Sequence, residues 1–375
     1  MSLFVMCAHG LETLLIKELE ELGYEGLSEG YCGVYVAKSS MKDVYKINYS
    51  SRLASRVLMP LLNFKCFDKN TLYNKGLSIK WENYIKKDHS FSIDANVRHY
   101  SLRNSLFAAQ VLKDAICDRL RDRYGFRPNV DLKNPDIQIN LFIDNEEAVI
   151  SFDTSGQPLY KRGYRLYTGE APLQETLAAA LLKIANYNAG DITIDPCCGS
   201  GTLLIEAALV ATNTPPGYMR TSWGFLLHPD FNKELWLQIK DEADSKKQSL
   251  NPGFLWGLEK ESEVANFCKA NIERAGFKNL INIECQDFNS HTPSAKYNLL
   301  ISNPPHGKRL GNEGDLVPLY RSLGDFMKNK ISKPGRGFLF TTSKFLGKEV
   351  GLKAKRRHVI SSSGLDARLL EFEIF

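Results

Sequence analysis

The chain has 375 residues, of which 43% are hydrophobic and 24% charged, a balance typical of globular proteins and sufficient for two or three domains. Its net charge of +5, from 48 basic and 43 acidic residues, is compatible with a polyanionic partner but does not identify one. No apolar run approaches the ~18 residues that a membrane span needs, and the first residues, MSLFVMCAHGLE, lack the features of a secretory signal, so we expect no membrane association and a cytoplasmic location.

The first part of the chain, to about residue 155, is predicted to form two small α+β units. Leucines at positions 11, 14, 15, 19 and 22 follow helical spacing, Gly23 stops the helix, and a short strand follows around residues 34–36. From Phe91 the pattern recurs at a larger scale, with a strand over FSIDANV, a helix, and a hairpin that turns at Asp144-Asn145. The helix is expected to bury one side and the hairpin to alternate; the apolar positions are Leu106, Ala109, Ile116, Cys117 and Leu120, then Ile137, Ile139, Leu141 and Ile143.

The second unit is locally basic. Between residues 98 and 127, seven cations outnumber three acids, so the local charge is 7 − 3 = +4. A solvated helix face and an RNA-binding surface explain this excess equally well. The cations are Arg98, Arg103, Lys113, Arg119, Arg121, Arg123 and Arg127, and the acids are Asp114, Asp118 and Asp122.

After residue 160 the pattern alternates between strand and helix. Short apolar or β-branched runs alternate with amphipathic stretches; the runs are DITIDPCC, FLWGLEK, INIECQDF, YNLLISN and GFLFTTS. The clearest amphipathic stretch has one apolar face made of Leu316, Leu319, Tyr320, Leu323, Phe326 and Met327. This pattern predicts a doubly wound α/β domain, in which ligands bind at the carboxyl ends of the strands.

Three successive predicted strands end in residues suited to a nucleoside ligand. Asp195 ends the first, and the GSG turn at residues 199–201 leads into a helix at Thr202. Glu259 ends the second, where an acid can accept hydrogen bonds from ribose hydroxyls, and QDF at residues 286–288 offers a carboxylate for an adenine amino group and an aromatic ring to cover the base. The turn lacks the lysine of a triphosphate loop and the third glycine of the dinucleotide motif, which disfavours ATP and NAD.

The fourth strand is followed by Asn303-Pro304-Pro305-His306. The Asn303 side-chain oxygen and the Pro304 carbonyl can each accept a hydrogen bond. Two consecutive prolines fix φ and offer acceptors without N–H donors.

These motifs carry a family resemblance. DPCCGSGT, GLEKESEVANFCKANIERAG, QDF and NPPHG, in that order, resemble S-adenosylmethionine-dependent methyltransferases that modify exocyclic amino groups of bases. YKRGYR…APLQETLAAALL and the insert from TPPGYMRTSWGF to about residue 250 are similar to bacterial 23S ribosomal RNA guanine-N2-methyltransferases with a THUMP domain. The resemblance is strong over residues 160 to 375 and concerns architecture more than motifs over residues 1 to 155.

The resemblance implies a fold and a domain order. A Rossmann-like methyltransferase domain, doubly wound and with an antiparallel last strand in a seven-stranded sheet, would follow α+β ferredoxin-like and THUMP domains. The implied boundaries are 1–65 for the ferredoxin-like domain, 66–155 for the RNA-binding THUMP domain, 156–172 for a linker and 173–375 for the methyltransferase domain.

The resemblance also implies site residues. S-adenosylmethionine is the implied cofactor, bound by Gln174, Thr176, Asp195, Cys197, Gly199, Ser200, Gly201, Thr202, Glu259, Asp287 and Phe288. The implied catalytic residues are Asn303, Pro304, Pro305 and His306. Glu259 replaces the usual aspartate, and His306 replaces the usual aromatic residue. We expect neutral His306 to stack on an extruded guanine.

Neither a metal nor a disulfide is expected. The methyl donor is already an activated electrophile, so orientation and electrostatics can supply the catalysis. The histidines form no HExxH pattern and no CxxC pair occurs, so we expect reduced thiols at Cys7, Cys32, Cys66, Cys117, Cys197, Cys198, Cys268 and Cys285.

The implied function is methylation of guanine N2 in RNA, with 23S ribosomal RNA as substrate, and the segments KRGYR and KAKRRH add cations near the catalytic domain. A transfer RNA substrate stays open. DNA adenine-N6 methylation is an alternative, since the Asn-Pro-Pro geometry does not distinguish the two amino groups, and so is an RNA-binding module inactivated by the change to His306. The sequence does not determine the modified nucleotide or the oligomeric state.

Overall fold

The computed structural model describes residues 1–102, 104–167, 172–306, 313–362 and 365–375. Arg103, residues 168–171 of the predicted linker and the glycine at position 307 lie outside the described residues. Within the described ranges, no helix combines the length and the apolar composition that crossing a membrane requires.

The first half of the chain forms one eight-stranded sheet with four helices. In chain order the elements are β1 (Leu3–Met6), α1 (Glu12–Glu21), β2 (Leu27–Gly30), β3 (Gly33–Val36), α2 (Met41–Ser50), β4 (Arg56–Lys65), α3 (Lys69–Ser78), β5 (Ser90–Arg98), α4 (Ser105–Tyr124), β6 (Asn129–Val130), β7 (Ile137–Asp144) and β8 (Glu147–Asp153). The strand order is β2-β3-β1-β4-β8-β7-β5-β6. The two predicted α+β units therefore share a sheet, because β4 pairs with β1 on one side and with β8 on the other.

The elements predicted in this half are present. Helix α1, strands β3 and β5, helix α4 and the hairpin of β7 and β8 lie where the apolar spacing places them. The predicted buried face of α4 is confirmed at Ile116, Cys117 and Leu120 but was wrong in the first turn, where Leu106 is 66% exposed and Ala108 is buried.

Most cations of the basic stretch are paired. Arg119 is buried and donates to both oxygens of Glu82, and Arg121 lies 2.9 Å from both Asp118 and Asp122. Lys113 pairs with Asp114, and Arg98 pairs with Asp144. These ion pairs favour a solvated helix face over an open basic surface for this stretch.

The second half forms a seven-stranded sheet. Its elements are α5 (Glu175–Ile184), β9 (Thr193–Asp195), α6 (Thr202–Ala211), α7 (Lys233–Asp244), β10 (Leu255–Glu259), α8 (Ser262–Arg274), β11 (Ile281–Cys285), β12 (Leu299–Ser302), α9 (Val317–Lys330), β13 (Gly335–Thr341), α10 (Leu346–Glu349), β14 (Arg356–Ser362) and β15 (Leu365–Ile374). The strand order is β11-β10-β9-β12-β13-β15-β14, and within the described residues β15 runs in the direction opposite to the other six strands. This confirms the predicted doubly wound domain with an antiparallel last strand.

An aromatic cluster joins the two halves. Tyr45 and Tyr49 of α2 pack against the insert before β10, with ring centroids 4.9 to 6.3 Å from those of Trp223, Phe225, Phe231 and Trp236. Polar contacts frame these rings, since the Asn232 N–H donates to the Tyr45 hydroxyl at 2.8 Å and the Tyr49 hydroxyl donates to Asp244 at 2.9 Å. The insert is therefore a structural part of the junction between the halves.

Candidate active site

The glycine turn after β9 has the backbone that its sequence predicts. Gly199 and Gly201 have φ of +52° and +82°, a region that L side chains rarely adopt. A Cβ on Gly201 would lie 2.7 Å from Cys268 Sγ, so this position needs glycine for close packing against α8. A Cβ on Gly199 would meet no atom within 4 Å, so this part of the turn faces open space.

Asp195 is buried at the end of β9 and is joined to the strand that precedes Asn303. Its Oδ1 accepts hydrogen bonds from the Ser302 hydroxyl at 2.6 Å and from the Cys197 N–H at 3.1 Å. Burial raises the pKa of Asp195 to about 7, with a further contribution from Glu259, although the two hydrogen bonds act in the opposite direction. The Asp195 carboxyl group, at the carboxyl ends of the strands, therefore has a pKa near neutral pH.

Glu259, at the end of β10, reaches the glycine turn. Its Oε2 accepts from the Gly199 N–H at 3.1 Å and its Oε1 accepts from the Glu261 N–H at 3.0 Å. A carboxylate offers about four acceptor positions, so each oxygen keeps capacity for another donor. The glutamate that replaces the usual aspartate is therefore held in place and still has free acceptor capacity.

The Cys197 thiol shows that the predicted acids converge. Burial raises its pKa most, and the negative charges of Asp195, Glu259 and Asp287 raise it further. The three acids also end or follow the adjacent parallel strands β9, β10 and β11, whose carboxyl ends lie at one edge of the sheet. The structure therefore brings together the acids that end three successive strands, while their binding roles stay predictions.

Asp287 and Phe288 follow β11 in different environments. Asp287 Oδ1 accepts from the Asn289 N–H at 2.8 Å and so caps the short 3-10 helix Phe288–Ser290. The Phe288 ring is 6% exposed and meets Phe326 edge-on at 5.8 Å between centroids. Phe288 thus has a packing role in the core, and its role in covering a base stays a prediction.

Arg165, which the sequence reading did not assign to the site, links the start of α5 to the glycine turn. Its guanidinium donates to Glu175 Oε1 at 2.9 Å and to the Leu173 carbonyl at 2.8 Å. It also donates to the hydroxyls of Ser200 at 3.2 Å and Thr202 at 3.0 Å. This fork brings the segment around exposed Gln174 and buried Thr176 next to the turn, as their predicted shared role requires.

Asn271 of α8 was also missed. Its buried amide accepts from the N–H groups of Leu166 and Tyr167 at 2.8 and 3.3 Å, and it donates to the carbonyls of Tyr167 and Ser200 at 3.2 and 3.1 Å. All of its hydrogen-bonding groups are therefore used to fasten residues 166–167 to the glycine turn. The signal in the sequence was a polar residue, Asn271, among the apolar positions of α8. Ser302, at the end of β12, was missed as well.

The segment after β12 presents acceptors. Asn303 Oδ1 is buried and has no hydrogen-bond partner among the described residues. Pro304 is buried, and its carbonyl lies 2.8 Å from His306 Nδ1, whereas Pro305 is exposed. The His306 ring meets Phe340 edge-on at 5.8 Å, and burial lowers the pKa of His306. An unpartnered buried oxygen is costly in a folded protein, so Asn303 Oδ1 has free capacity for a hydrogen-bond donor, while its catalytic role stays a prediction.

The cations of the segments KRGYR and KAKRRH, which were predicted near the catalytic domain, have different environments. Arg162 is 2% exposed and lies 3.6 Å from the equally buried Glu206, so it holds the interior rather than a polyanion. Lys355 pairs with Glu373, and His358 pairs with Glu371, but Arg356 and Arg357 are exposed. Lys161 and Lys353 of the same two segments are exposed as well, so these four cations are accessible near the catalytic domain.

One group of possible metal ligands lies elsewhere in the described part of the chain. Ligand atoms of His9, Glu12 and Cys32 lie within 4.8 Å of one another. Glu12 also accepts from the backbone N–H groups of Gly10 at 2.7 Å and of Cys32 at 3.1 Å. These backbone contacts account for the grouping as an anchor for two turns at the start of α1.

Comparison with known proteins places three family models in order along the chain. They are the RlmL ferredoxin-like domain over residues 2–58, the THUMP domain over residues 67–153 and the RMKL-like methyltransferase domain over residues 162–364. The predicted boundaries at residues 65 and 155 lie between these matches, whereas the predicted boundary at residue 172 lies inside the third match; all three stay predictions.

Two relatives and one solved structure are similar to the chain over nearly its whole length. The chain is 36% identical to "Putative RNA methyltransferase slr0064" of Synechocystis, covering 99% of this chain and 96% of the relative. It is 35% identical to ribosomal RNA large subunit methyltransferase K/L of Syntrophotalea carbinolica, covering 99% of this chain and 53% of the relative, so it spans about half the length of that protein. The crystal structure of "SMU.472, a putative methyltransferase complexed with SAH" has a TM-score of 0.87 and 25% identity, covering 100% of this chain and 98% of that one.

Proposed function

The chain belongs to the RMKL-like methyltransferase family, and from this premise we propose that it transfers a methyl group from S-adenosylmethionine to the exocyclic N2 of a guanine in RNA, with ribosomal RNA of the large subunit as the substrate. The buried Asn303 Oδ1, which lacks a partner, is the observation that supports this chemistry most directly. It is an acceptor held ready for an amino hydrogen at the strand ends where the predicted cofactor residues converge.

The residues at the strand ends fit the methyl donor. S-adenosylmethionine supplies a methyl group that is already activated by its sulfonium sulfur. Glu259 has free acceptor capacity for ribose hydroxyls, and Asp287 can accept from the adenine amino group. The open face of Gly199 gives a ligand access to the backbone, and the first N–H groups of α6 suit a carboxylate.

The catalytic contribution of the protein is to hold the amino nitrogen. Asn303 Oδ1 and the second lone pair of the Pro304 carbonyl each accept one amino hydrogen, which directs the nitrogen lone pair out of the plane of the base. The position of Asn303 is restrained, because the preceding residue, Ser302, donates a hydrogen bond to Asp195. Transfer would form the bond from nitrogen to the methyl carbon and break the bond from that carbon to sulfur, which leaves S-adenosylhomocysteine. The nitrogen would release one proton to solvent water, so the base leaves neutral.

The first half of the chain supplies the RNA-binding surface in this proposal. It contains the THUMP domain, and the large-subunit methyltransferase K/L relative supports a ribosomal RNA substrate. Exposed Arg356 and Arg357 of β14 add cations on the methyltransferase side. Because the chain spans about half of that relative, the proposal assigns to it one methylation.

The test is a methyl-transfer assay with the purified full chain, labelled S-adenosylmethionine and a large-subunit ribosomal RNA transcript. Mass spectrometry of the digested RNA should find N2-methylguanosine. Asn303→Leu, which keeps the shape but removes the acceptor, should lower the single-turnover rate by roughly 10²-fold, while Asn303→Asp keeps an acceptor oxygen and should lower it less.

Two controls complete this test. S-adenosylhomocysteine should bind both variants with the affinity of the parent, which separates loss of catalysis from loss of fold. Methylation found only on adenine, or only on transfer RNA offered in competition, would contradict the proposed substrate.

A further inference from the structure

The tautomer of His306 follows from its contact with Pro304. His306 Nδ1 lies 2.8 Å from the Pro304 carbonyl oxygen. A carbonyl oxygen can only accept, so Nδ1 must bear the hydrogen of this bond. The neutral ring then has its lone pair on Nε2.

The surroundings favour the neutral ring. Burial lowers the pKa of His306, and the hydrogen bond to Pro304 offsets this only partly. Nε2 has no hydrogen-bond partner among residues 1–102, 104–167, 172–306, 313–362 and 365–375. His306 therefore offers an acceptor, where the aromatic residue usual in the family offers no ring nitrogen at all.

The segment after β12 thus contains three acceptors in four residues. They are Asn303 Oδ1, the second lone pair of the Pro304 carbonyl and His306 Nε2. Two of them suffice for the two hydrogens of an amino group. The third is available for another donor beside that amino group.

Purine bases differ in what lies beside the amino group. Guanine has N1–H next to its 2-amino group, so its Watson–Crick edge presents adjacent donors. Adenine has a bare N1 next to its 6-amino group, and 2-aminopurine has a bare N1 next to its 2-amino group. Enzymes that extrude a base read this edge through hydrogen bonds, so an additional acceptor favours guanine over both other bases.

We propose that His306 is a specificity-determining residue whose Nε2 accepts a hydrogen bond from N1–H of the guanine that is methylated. This inference rests on the proposed function and replaces the stacking role expected from the sequence. Stacking uses the face of the imidazole, whereas this role uses its edge and depends on the hydrogen bond that fixes the tautomer. The ring also packs against Phe340, with centroids 5.8 Å apart and ring planes at 74°, which restrains its orientation.

The experiment compares two target bases in one RNA. The methylated guanosine is first located by mass spectrometry of the large-subunit transcript after reaction with the parent protein. Two oligonucleotides with its surroundings are then made, one with guanosine and one with 2-aminopurine riboside at the target. Both bases carry the 2-amino group, but only guanine carries N1–H.

The parent should methylate the guanosine RNA at least about tenfold faster than the 2-aminopurine RNA, because a bare N1 would face the Nε2 lone pair. In His306→Phe, which keeps a flat ring but has no acceptor, this preference should shrink to within about threefold, mainly through loss of rate on guanosine. Calorimetry with S-adenosylhomocysteine should give equal affinities for the two proteins, which verifies that the variant is folded.

Four results would contradict the inference. A parent that treats the two RNAs alike, or a His306→Phe variant that keeps the parent's preference, would overturn the specificity role. A variant that is faster than the parent on guanosine would show that the ring acts by stacking. If the parent methylates no guanine in the transcript, the proposed function itself fails, and the inference fails with it.

Discussion

The Ser302 hydroxyl donates to Asp195 Oδ1 at 2.6 Å, which ties the residue before the Asn-Pro-Pro segment to the acid that ends the first strand of the methyltransferase domain. The two residues lie on neighbouring strands, β9 and β12, 107 positions apart in sequence. A shift of either strand end therefore moves the other. The same hydrogen bond thus positions both the predicted cofactor side and the predicted target side of the site.

Asp195→Asn should change how stability depends on pH. The pKa of Asp195 is raised from 3.8 to about 7, so the fold favours the protonated carboxyl, and its contribution to stability is full below about pH 4 and lost as the pH rises to about 7. Relative to Asp195→Asn, the parent's free energy of unfolding should fall between pH 5 and 7, with a slope of at most about 1.4 kcal/mol per pH unit, and then level off. Urea unfolding of both cofactor-free proteins at pH 5, 6, 7 and 8 measures this difference in the free energy of unfolding.

Ser302→Ala is the matched control for the same experiment. The Ser302 hydrogen bond lowers the pKa of Asp195, so its removal should raise that pKa further and move the levelling-off point to a higher pH. A difference between the parent and Asp195→Asn that does not change with pH would contradict the raised pKa.

Glu259→Ala should weaken binding of S-adenosylhomocysteine by roughly 1 to 3 kcal/mol, the scale of hydrogen bonds to a charged acceptor. The variant removes the acceptor that touches the Gly199 N–H and has free capacity for ribose hydroxyls. Isothermal titration calorimetry measures the affinity, with Glu261→Ala as the control, because the Glu261 side chain is 66% exposed. Equal affinities for Glu259→Ala and the parent would remove the ribose assignment.

Arg165→Lys should weaken S-adenosylhomocysteine binding by about tenfold, or about 1.4 kcal/mol, and raise the KM for S-adenosylmethionine more than it lowers kcat. A lysine keeps the charge but cannot bond Glu175, Leu173, Ser200 and Thr202 together. Lys161→Ala, at an exposed position of the same segment, should behave like the parent. A variant that loses thermal stability while its cofactor affinity stays the same would show that Arg165 only supports the fold.

Trp223→Ala should lower the free energy of unfolding by roughly 3 to 5 kcal/mol, because this ring is 4% exposed in the junction between the halves. Its contacts with Tyr49, Phe225 and Trp236 would be lost together. Thermal and urea unfolding of the full chain measure the loss. Phe375→Ala removes a ring that is 82% exposed and should change stability by no more than about 0.5 kcal/mol.

Strands β9 to β13 of the second half could be predicted because each is a short apolar or β-branched run, whereas no run was assigned to β14 or β15. Asp195, Glu259 and Asn303 could be placed at one edge of the sheet from the rule for parallel strands alone. That rule does not give side-chain contacts over long separations. Arg162 looked like a cation for RNA, but it is buried beside Glu206, 44 positions away, and nothing in the local sequence marks that partner.

The segment from residue 41 to residue 90 was left without predicted elements for identifiable reasons. Strand β4 has Pro60 in its interior, which normally argues against a strand, and the structure accommodates it with a shift of register between Pro60 and Leu62. Helix α2 begins with a capping box between Ser40 and Asp43, a readable signal that was overlooked. The shared sheet could not be foreseen without β4, which is the strand that joins the two units.

The continuous eight-stranded sheet packs against the insert through Tyr45 and Tyr49, which holds the two halves of the protein at a fixed distance. An RNA element bound by the first half would be presented to Asn303 at a fixed distance, since the first two units share one sheet and α2 packs against the insert of the second half. The target would then be selected by its distance from the bound RNA element as well as by its base. Lengthening the RNA between that element and the modified guanine by one helical turn should therefore move methylation to another nucleotide or abolish it.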